Sequence, residues 1–155
     1  FAKNASTQYS SMTRDNFLGF RGSATTLLRD QFKVNTFSVE EYCKRIDHKT
    51  IPTALTLRFT LRQRMVYYLF WIAYSTKVDA EAFWQFFSVP LERMYGFELK
   101  LAKLFGFVTE QGGVYEMTLK GVFYYHYYEN FYTLSYIDKM WGLLRKEAFP
   151  DRMEL

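Results

Sequence analysis

The stretch SVPLERMYGFELKLAKLF, residues 88–105, predicts a helix that begins and ends at recognisable signals. Ser88 and Pro90 are typical of a helix start, and Gly106, directly after the stretch, is typical of a helix end. Helical spacing predicts buried side chains along one side of it, at Leu91, Met94, Leu99, Ala102 and Leu104.

The sequence continues as FVTEQGGVYEM, residues 107–117, which predicts a β-hairpin. Two glycines, at residues 112–113, supply the turn, because glycine accepts the positive φ angles that tight hairpin turns need. We expect Phe107 and Val108 to pair with Val114 and Tyr115 across that turn.

The preceding segment predicts two more helices. Thr60 and Gln63 form a capping box before LRQRMVYYLFWIAYS, which from Met65 onward is apolar nearly all round and indicates a central buried helix. Asp79 is expected to cap a short helix, AEAFWQFF. With the hairpin, this is the element order of a winged-helix domain. Thr118 then caps a long helix to about residue 132, and a further helical run, SYIDKMWGLLRKE, follows.

The N-terminal third of the chain predicts a loop, a short strand and a single capped helix. Residues 1–16 are polar and predict a loop. The run FLGF then predicts a short strand, and Gly19 and Gly22 indicate a turn where the backbone approaches something closely. Ser38 and Glu41 predict a capped helix, after which Pro52 begins a connection.

These patterns predict a mainly α, α+β fold. We expect residues 1–52 to be the incomplete end of one domain and residues 53–155 to form a helical, winged-helix-like domain with a small β-hairpin wing.

Composition and charge limit the kinds of partner that the chain is expected to bind. Hydrophobic residues make up 49% of the chain, so it can bury a core, and its single cysteine, Cys43, predicts a reducing, cytoplasmic setting. The net charge is +4, but residues 51–155 contribute only +1, from 12 Lys and Arg against 11 Asp and Glu. We therefore expect no nucleic-acid partner, and no membrane partner either, since the longest apolar run is half a membrane span.

Catalytic and metal-binding patterns are scarce. His48 and His126 are the only histidines, and no phosphate loop or zinc-protease motif accompanies them. We therefore predict no catalytic residue and no metal ligand. The stretch LGFRGSATT is the exception, because its small residues would let backbone N–H groups lie against an anion or a cofactor edge. A tight strand-to-loop turn would explain it as well.

The order of these features resembles one family. YSSMTRDNFLGFRGSA, then VNTFSVEEYCKRID, then IPTAL resemble the end of the catalytic barrel in oxygen-independent coproporphyrinogen III oxidases, and YEMTLKG resembles a pattern near their C-terminus. The likeness runs from about Tyr9 to Trp141. It implies that residues 1–52 are the tail of a radical SAM barrel and that the chain is the C-terminal portion of such an enzyme.

The resemblance also implies a chemistry located outside this chain. In the family, three cysteines of a CxxxCxxC motif hold a 4Fe-4S cluster that cleaves S-adenosylmethionine, and the resulting radical drives decarboxylation of porphyrinogen propionates. The expected partners are therefore an upstream barrel and a tetrapyrrole substrate. Residues at the positions of the family's motifs, with Thr25 next in line, become the candidate cofactor or substrate contacts: Tyr9, Ser10, Ser11, Gly19, Arg21, Ser23, Ala24 and Thr25.

One of these residues departs from the family pattern. Arg21 stands where the family has its second glycine. It either anchors a carboxylate through its guanidinium, or it marks a loop whose backbone geometry differs and whose side chain points away.

Two other functions stay open at this point. The chain could be a haem-binding chaperone or a relative of anaerobic haem-degrading enzymes, or it could be a winged-helix DNA-binding domain.

Overall fold

The computed structural model of the chain describes residues 16–151. Its elements, in chain order, are β1 (Thr25–Leu28), β2 (Gln31–Asn35), α1 (Val39–Asp47), β3 (Thr53–Arg58), α2 (Leu61–Ile72), a 3-10 turn (Ala73–Ser75), β4 (Lys77–Asp79), α3 (Ala80–Phe87), α4 (Leu91–Leu104), β5 (Val108–Gln111), β6 (Val114–Met117) and α5 (Leu119–Lys146).

The chain divides into two compact units. We call residues 65–129 the central unit; residues 16–64 and 130–151 form the flanking unit. The predicted fold class is confirmed, since helices predominate and accompany two small antiparallel sheets. The winged-helix assignment and the domain boundary after residue 52 stay predictions.

The core of the central unit is built from side chains of four different elements. Phe83 of α3 is fully buried, and Met65, Tyr68, Leu91 and Tyr115 pack with it. These residues come from α2, α3, α4 and β6, so the core joins every part of the unit that precedes α5. Burial of large apolar side chains of this kind is the dominant stabilising term in a domain of this size.

The predicted hairpin is confirmed, but its predicted pairing is wrong. Gly112 and Gly113 both have positive φ and close a two-residue turn, so Gln111 lies opposite Val114 and Val108 lies opposite Met117. A two-residue loop of this type brings the residues that flank it into register. The hairpin also gains a third strand that the sequence did not predict, because β4 pairs with β6.

The predicted burial along α4 is wrong at two positions. Leu91 is buried and Leu99 packs against the core, but Met94 is 37% exposed and Leu104 is 78% exposed. The helix departs from helical geometry at Tyr95, where φ is −131° and ψ is 19°. Such a kink changes the direction of the side chains that follow it, so no single face runs through the whole helix.

Helix α2 is less buried than predicted. Met65 and Tyr68 are buried, but Val66 is half exposed. The predicted capping box is confirmed: the Thr60 backbone N–H donates to Gln63 Oε1 at 2.9 Å, and the Gln63 N–H donates to Thr60 Oγ1 at 3.3 Å.

Thr60→Ala is expected to lower the free energy of unfolding by about 1 kcal/mol, because the Gln63 N–H loses its acceptor at the helix start. Thr60→Ser keeps the oxygen and is the matched control. Urea denaturation of both variants measures the difference. Equal losses from the two substitutions would show that the hydroxyl does not cap the helix.

The flanking unit contains a three-stranded antiparallel sheet in the order β1, β2, β3. Strand β3 corrects the prediction of a simple connection after Pro52; its last four residues, LTLR, alternate apolar and polar residues, as a half-buried strand does. The strand predicted at FLGF is wrong, since only Phe17 bridges to Leu27 and the strand begins at Thr25.

Helices α1 and α5 both begin at the predicted cap residues. Ser38 accepts a hydrogen bond from the Glu41 N–H at 3.3 Å, which confirms it as the N-cap of α1. Helix α5 is one continuous helix of 28 residues, so the break expected near residue 132 is wrong. Thr118 begins it as predicted, because its Oγ1 accepts from the Gly121 N–H at 3.1 Å.

Candidate functional site

The glycine-containing loop before β1 approaches the protein's own backbone. A Cβ added at Gly19 would overlap the carbonyl oxygen of Thr25 and lie 2.8 Å from its carbonyl carbon. The Gly19 N–H donates to Thr26 Oγ1 at 3.0 Å. The close approach expected at this glycine is therefore made to the start of β1.

Backbone donors in the same loop are directed to protein acceptors. The Arg21 N–H donates to Tyr42 Oη at 3.1 Å, the Ser23 N–H to the Thr36 carbonyl at 2.9 Å, and the Ala24 N–H to the Arg21 carbonyl at 3.4 Å. These N–H groups are used within the chain. An anion at this loop would therefore have to be bound mainly by side chains.

Arg21 has the backbone conformation of a glycine. Its φ is 90°, in the region that favours glycine because other residues meet a steric clash of Cβ with the backbone there. Its side chain is exposed. The residue that replaces the glycine expected from the resemblance thus keeps a backbone shape that glycine would adopt without strain.

The other candidate contacts divide by location. Ser23 has a φ of 58° and lies in the turn that leads to β1, and Thr25 is the first residue of that strand, opposite Val34. Tyr9, Ser10 and Ser11 lie outside the described residues. Roles of all these residues as cofactor or substrate contacts stay predictions.

The central unit exposes a set of large apolar side chains, which we call the apolar surface. Two come from the end of α4 and its C-cap, and four from the first part of α5: Leu104, Phe105, Leu119, Phe123, Tyr124 and Tyr127, all of them more than 40% exposed. Contiguous exposed apolar patches are rare on proteins that have no partner, and they mark interaction sites.

Ring contacts connect most of this surface. Phe107 bridges its two parts, with ring centroids 6.0 Å from Phe105 and 5.3 Å from Tyr124. Phe123 lies 5.5 Å from Tyr124 and stacks on Tyr127 at 6.4 Å. The aromatic rings therefore form a connected layer.

One cation lies at this surface. Lys120 Nζ is 5.1 Å from the centre of the Phe107 ring and donates a hydrogen bond to the Phe105 carbonyl at 2.9 Å. These contacts hold the lysine against the rings, where its charge interacts favourably with the ring face.

Sequence reasoning did not find the apolar surface. It assigned Leu104 to the buried side of α4. A signal was present in α5, where Leu119, Phe123 and Tyr127 follow one another at intervals of four residues and so share a helix face.

Polar side chains on α5, together with Tyr74, form a second cluster in the central unit. Tyr125 Oη donates to the Phe70 carbonyl at 2.5 Å, and His126 Nδ1 lies 3.9 Å from a carboxylate oxygen of Glu129. Burial raises the pKa of the Tyr125 phenol, and burial together with a hydrogen bond to Glu129 raises the pKa of Tyr74. Both phenols therefore stay protonated to a higher pH than a free tyrosine does, and act as hydrogen-bond donors.

A third phenol behaves in the same way in the core. Tyr115 Oη donates to Glu92 Oε1 at 3.1 Å. Burial, followed by this hydrogen bond, raises the pKa of Tyr115 to about 12.

Within residues 16–151, no group of three or more His, Cys, Asp or Glu side chains is arranged to hold a metal ion. Cys43 is exposed on α1. Over the same residues, no helix combines the length and the apolar character that a membrane span requires.

Comparison with known proteins gives one structural relative to consider. No protein-family profile and no curated protein matches the chain. Among solved structures, it is similar to coproporphyrinogen III oxidase (HemN) from Escherichia coli, described as a radical SAM enzyme, with a TM-score of 0.51 and 17% sequence identity. The match covers 68% of this chain and 25% of that one. The chain therefore shares the fold of a part of coproporphyrinogen III oxidase and spans about a quarter of its length.

Proposed function

We propose that this chain is the C-terminal portion of a radical SAM protein like coproporphyrinogen III oxidase, acting in the cytoplasm. The parent protein would carry out anaerobic oxidative decarboxylation of porphyrinogen propionates in haem biosynthesis. Its upstream barrel would hold the 4Fe-4S cluster and S-adenosylmethionine. The present chain would cover the substrate side of the barrel without being catalytic itself. The fold shared with a quarter of the Escherichia coli enzyme is the observation that carries this proposal.

The residues of this chain do not fit an iron–sulfur cluster. Such a cluster needs several thiolates, three of them in the family's motif, and Cys43 is the chain's one cysteine. The proposal therefore derives no redox step from this chain.

The apolar surface supports a docking role. Its rings and leucines are exposed at the end of α4 and along α5, and burying them against another protein surface would be favourable. Exposed side chains on α4 also disfavour DNA recognition: Phe97 is 72% exposed and Leu104 is 78% exposed, where a recognition helix presents polar and basic groups to the bases.

A first test reads the gene upstream of the codon for Phe1. We expect an open reading frame that continues for about 250 residues, the usual length of such a barrel, and contains CxxxCxxC. A stop codon in that frame, or a continuous frame without the motif, would contradict the proposal.

A second test disrupts the apolar surface in the parent protein. Phe123→Glu combined with Tyr127→Glu is expected to raise at least tenfold the rate at which a protease cleaves the parent protein between the upstream barrel and this chain. The reason is that buried carboxylates weaken an apolar interface. The matched control is Trp84→Glu, which changes a half-exposed aromatic residue on α3, outside the surface.

In the isolated chain, the same double substitution is expected to change the free energy of unfolding by less than about 0.5 kcal/mol, since both side chains are exposed. Equal proteolysis rates for the double variant and the control in the parent protein would show that the surface is not the docking site.

A haem-binding module is the second candidate. The connected rings of Phe123, Tyr124 and Tyr127 favour it, because aromatic faces stack on flat ring systems. Saturable quenching of tryptophan fluorescence by micromolar haem, in a protein whose upstream sequence lacks CxxxCxxC, would select this candidate.

A further inference from the structure

A cavity in the flanking unit lies between the start of α1 and the end of α5. Its volume is about 520 Å³, and it is open to solvent. Cavities of about 300–1,000 Å³ are typical of sites that bind small molecules. The residues that line it are Phe37, Ser38, Leu144, Arg145, Lys146 and Ala148.

One part of the cavity wall is apolar and fixed in place. Phe37, Leu144 and Ala148 form this part. Leu144 is only 2% exposed, so it is anchored in the interior of the unit. The half-buried Phe37 ring packs edge-on against Trp141, with ring centroids 6.0 Å apart. A ligand that covers this wall therefore does not have to order it first, which favours binding.

The polar part of the wall is cationic. Arg145 and Lys146 line the cavity together, and no carboxylate is among the lining residues. Neither cation forms an ion pair or a side-chain hydrogen bond within residues 16–151. The Arg145 guanidinium lies 5.9 Å from the centre of the Trp141 ring, a contact that does not use its N–H donors. The cavity therefore presents two positive charges without a counter-charge.

Ser38 adds a hydroxyl donor to the same wall. Its Oγ accepts the Glu41 N–H at 3.3 Å, and over the described part of the chain it donates no hydrogen bond of its own. Glu40 and Glu41, which follow on α1, each have a carboxylate oxygen 2.8 Å from Lys44 Nζ. Because Lys44 pairs with both carboxylates, their repulsion of an anion in the cavity is reduced.

Two neighbouring cations and a hydroxyl match the charge and the acceptors of a phosphate monoester. Such a group carries about −1.5 to −2 charges near pH 7 and has three strong acceptor oxygens. We propose that this cavity binds a small organic phosphate. The phosphate lies at Arg145, Lys146 and Ser38, and the apolar body of the ligand lies against Phe37 and Leu144. This site does not depend on the proposed function.

Isothermal titration calorimetry of the 155-residue chain with phenyl phosphate tests the site, at about 0.15 M salt so that distant surface charges are screened. We expect one binding site per chain. Inorganic phosphate is expected to bind at least about tenfold more weakly, because it leaves the apolar wall exposed to water. Phenyl sulfate has the same ring and a single negative charge, and it is expected to bind about tenfold more weakly as well.

Arg145→Gln combined with Lys146→Gln is expected to weaken phenyl phosphate binding at least about tenfold, since charge-assisted hydrogen bonds are lost. Lys139→Gln is the matched control. Lys139 is exposed on the same face of α5, two turns before Lys146, and does not line the cavity. The control is expected to bind as the wild type does. Far-ultraviolet circular dichroism of both variants is expected to match the wild type, because the substituted side chains are exposed.

Several results would overturn the inference. Equal affinity of the wild type and the double variant would remove the cations from the site. An equal loss in Lys139→Gln would mean that the anion is attracted only by the general charge of α5. Equal binding of inorganic phosphate and phenyl phosphate would remove the apolar wall, and tighter binding of phenyl sulfate would assign the cavity to a monoanion. Absence of binding by the wild-type chain would reject the site, while the gene and docking tests of the proposed function would stand unaffected.

Discussion

Phe83→Ala is expected to lower the free energy of unfolding by about 3–5 kcal/mol, the range for removing a large aromatic side chain from a core. Phe83 is fully buried at the centre of the central unit. Its ring lies 4.7 Å from Phe87, 6.0 Å from Tyr68 and 6.4 Å from Tyr95, measured between centroids. Alanine would leave a cavity in the core that the neighbouring side chains of α2, α3 and α4 could fill only in part.

Guanidinium denaturation followed by far-ultraviolet circular dichroism measures this loss. Phe97→Ala is the matched control, because the same side chain is removed from α4 at a position that is 72% exposed. The control is expected to stay within about 0.5 kcal/mol of the wild type. Similar losses at the two positions would mean that Phe83 is not the centre of the core.

Gly121→Ala is expected to lower the free energy of unfolding by about 3 kcal/mol or more, at the upper end of the range for overpacking. A Cβ on Gly121 would overlap the carbonyl oxygen of Phe107 and lie 2.9 Å from its carbonyl carbon. That carbonyl accepts the Thr118 N–H at 2.9 Å, so it cannot move without loss of this hydrogen bond at the start of α5.

Gly142→Ala provides the contrasting substitution in the same helix. A Cβ on Gly142 would meet no atom within 4 Å, so alanine is expected to stabilise the chain by about 0.5–1 kcal/mol through its higher helix propensity. Thermal and chemical denaturation of the two variants measure whether each substitution raises or lowers the free energy of unfolding. A stabilising Gly121→Ala would show that α5 does not approach the backbone at Phe107 this closely.

The apolar surface is extensive and largely uncharged, so substitutions there should change attachment to a protein partner.

Two of the wrong predictions could have been avoided from the sequence alone. The two-residue glycine turn requires Gln111 opposite Val114, so the register of the hairpin could have been deduced from the turn itself. The alternation in residues 55–58 likewise indicated strand β3. Neither required knowledge of distant residues.

The sequence by itself determined the features that depend on neighbours a few residues apart. Caps at Thr60, Asp79 and Thr118 formed where predicted, and so did the turn at residues 112–113, because each interaction closes within about four residues. The resemblance to the coproporphyrinogen III oxidase family likewise came from local motifs and led to the fold that the structural comparison shows.

Only the tertiary structure decided which side chains are buried and which are left for a partner. The kink at Tyr95 exposes Leu104, β4 pairs with residues of β6 more than thirty positions away, and the backbone at Arg21 is held by Asn35 and Tyr42. These outcomes depend on contacts between residues distant in sequence, whose burial or pairing lowers the free energy of the whole chain.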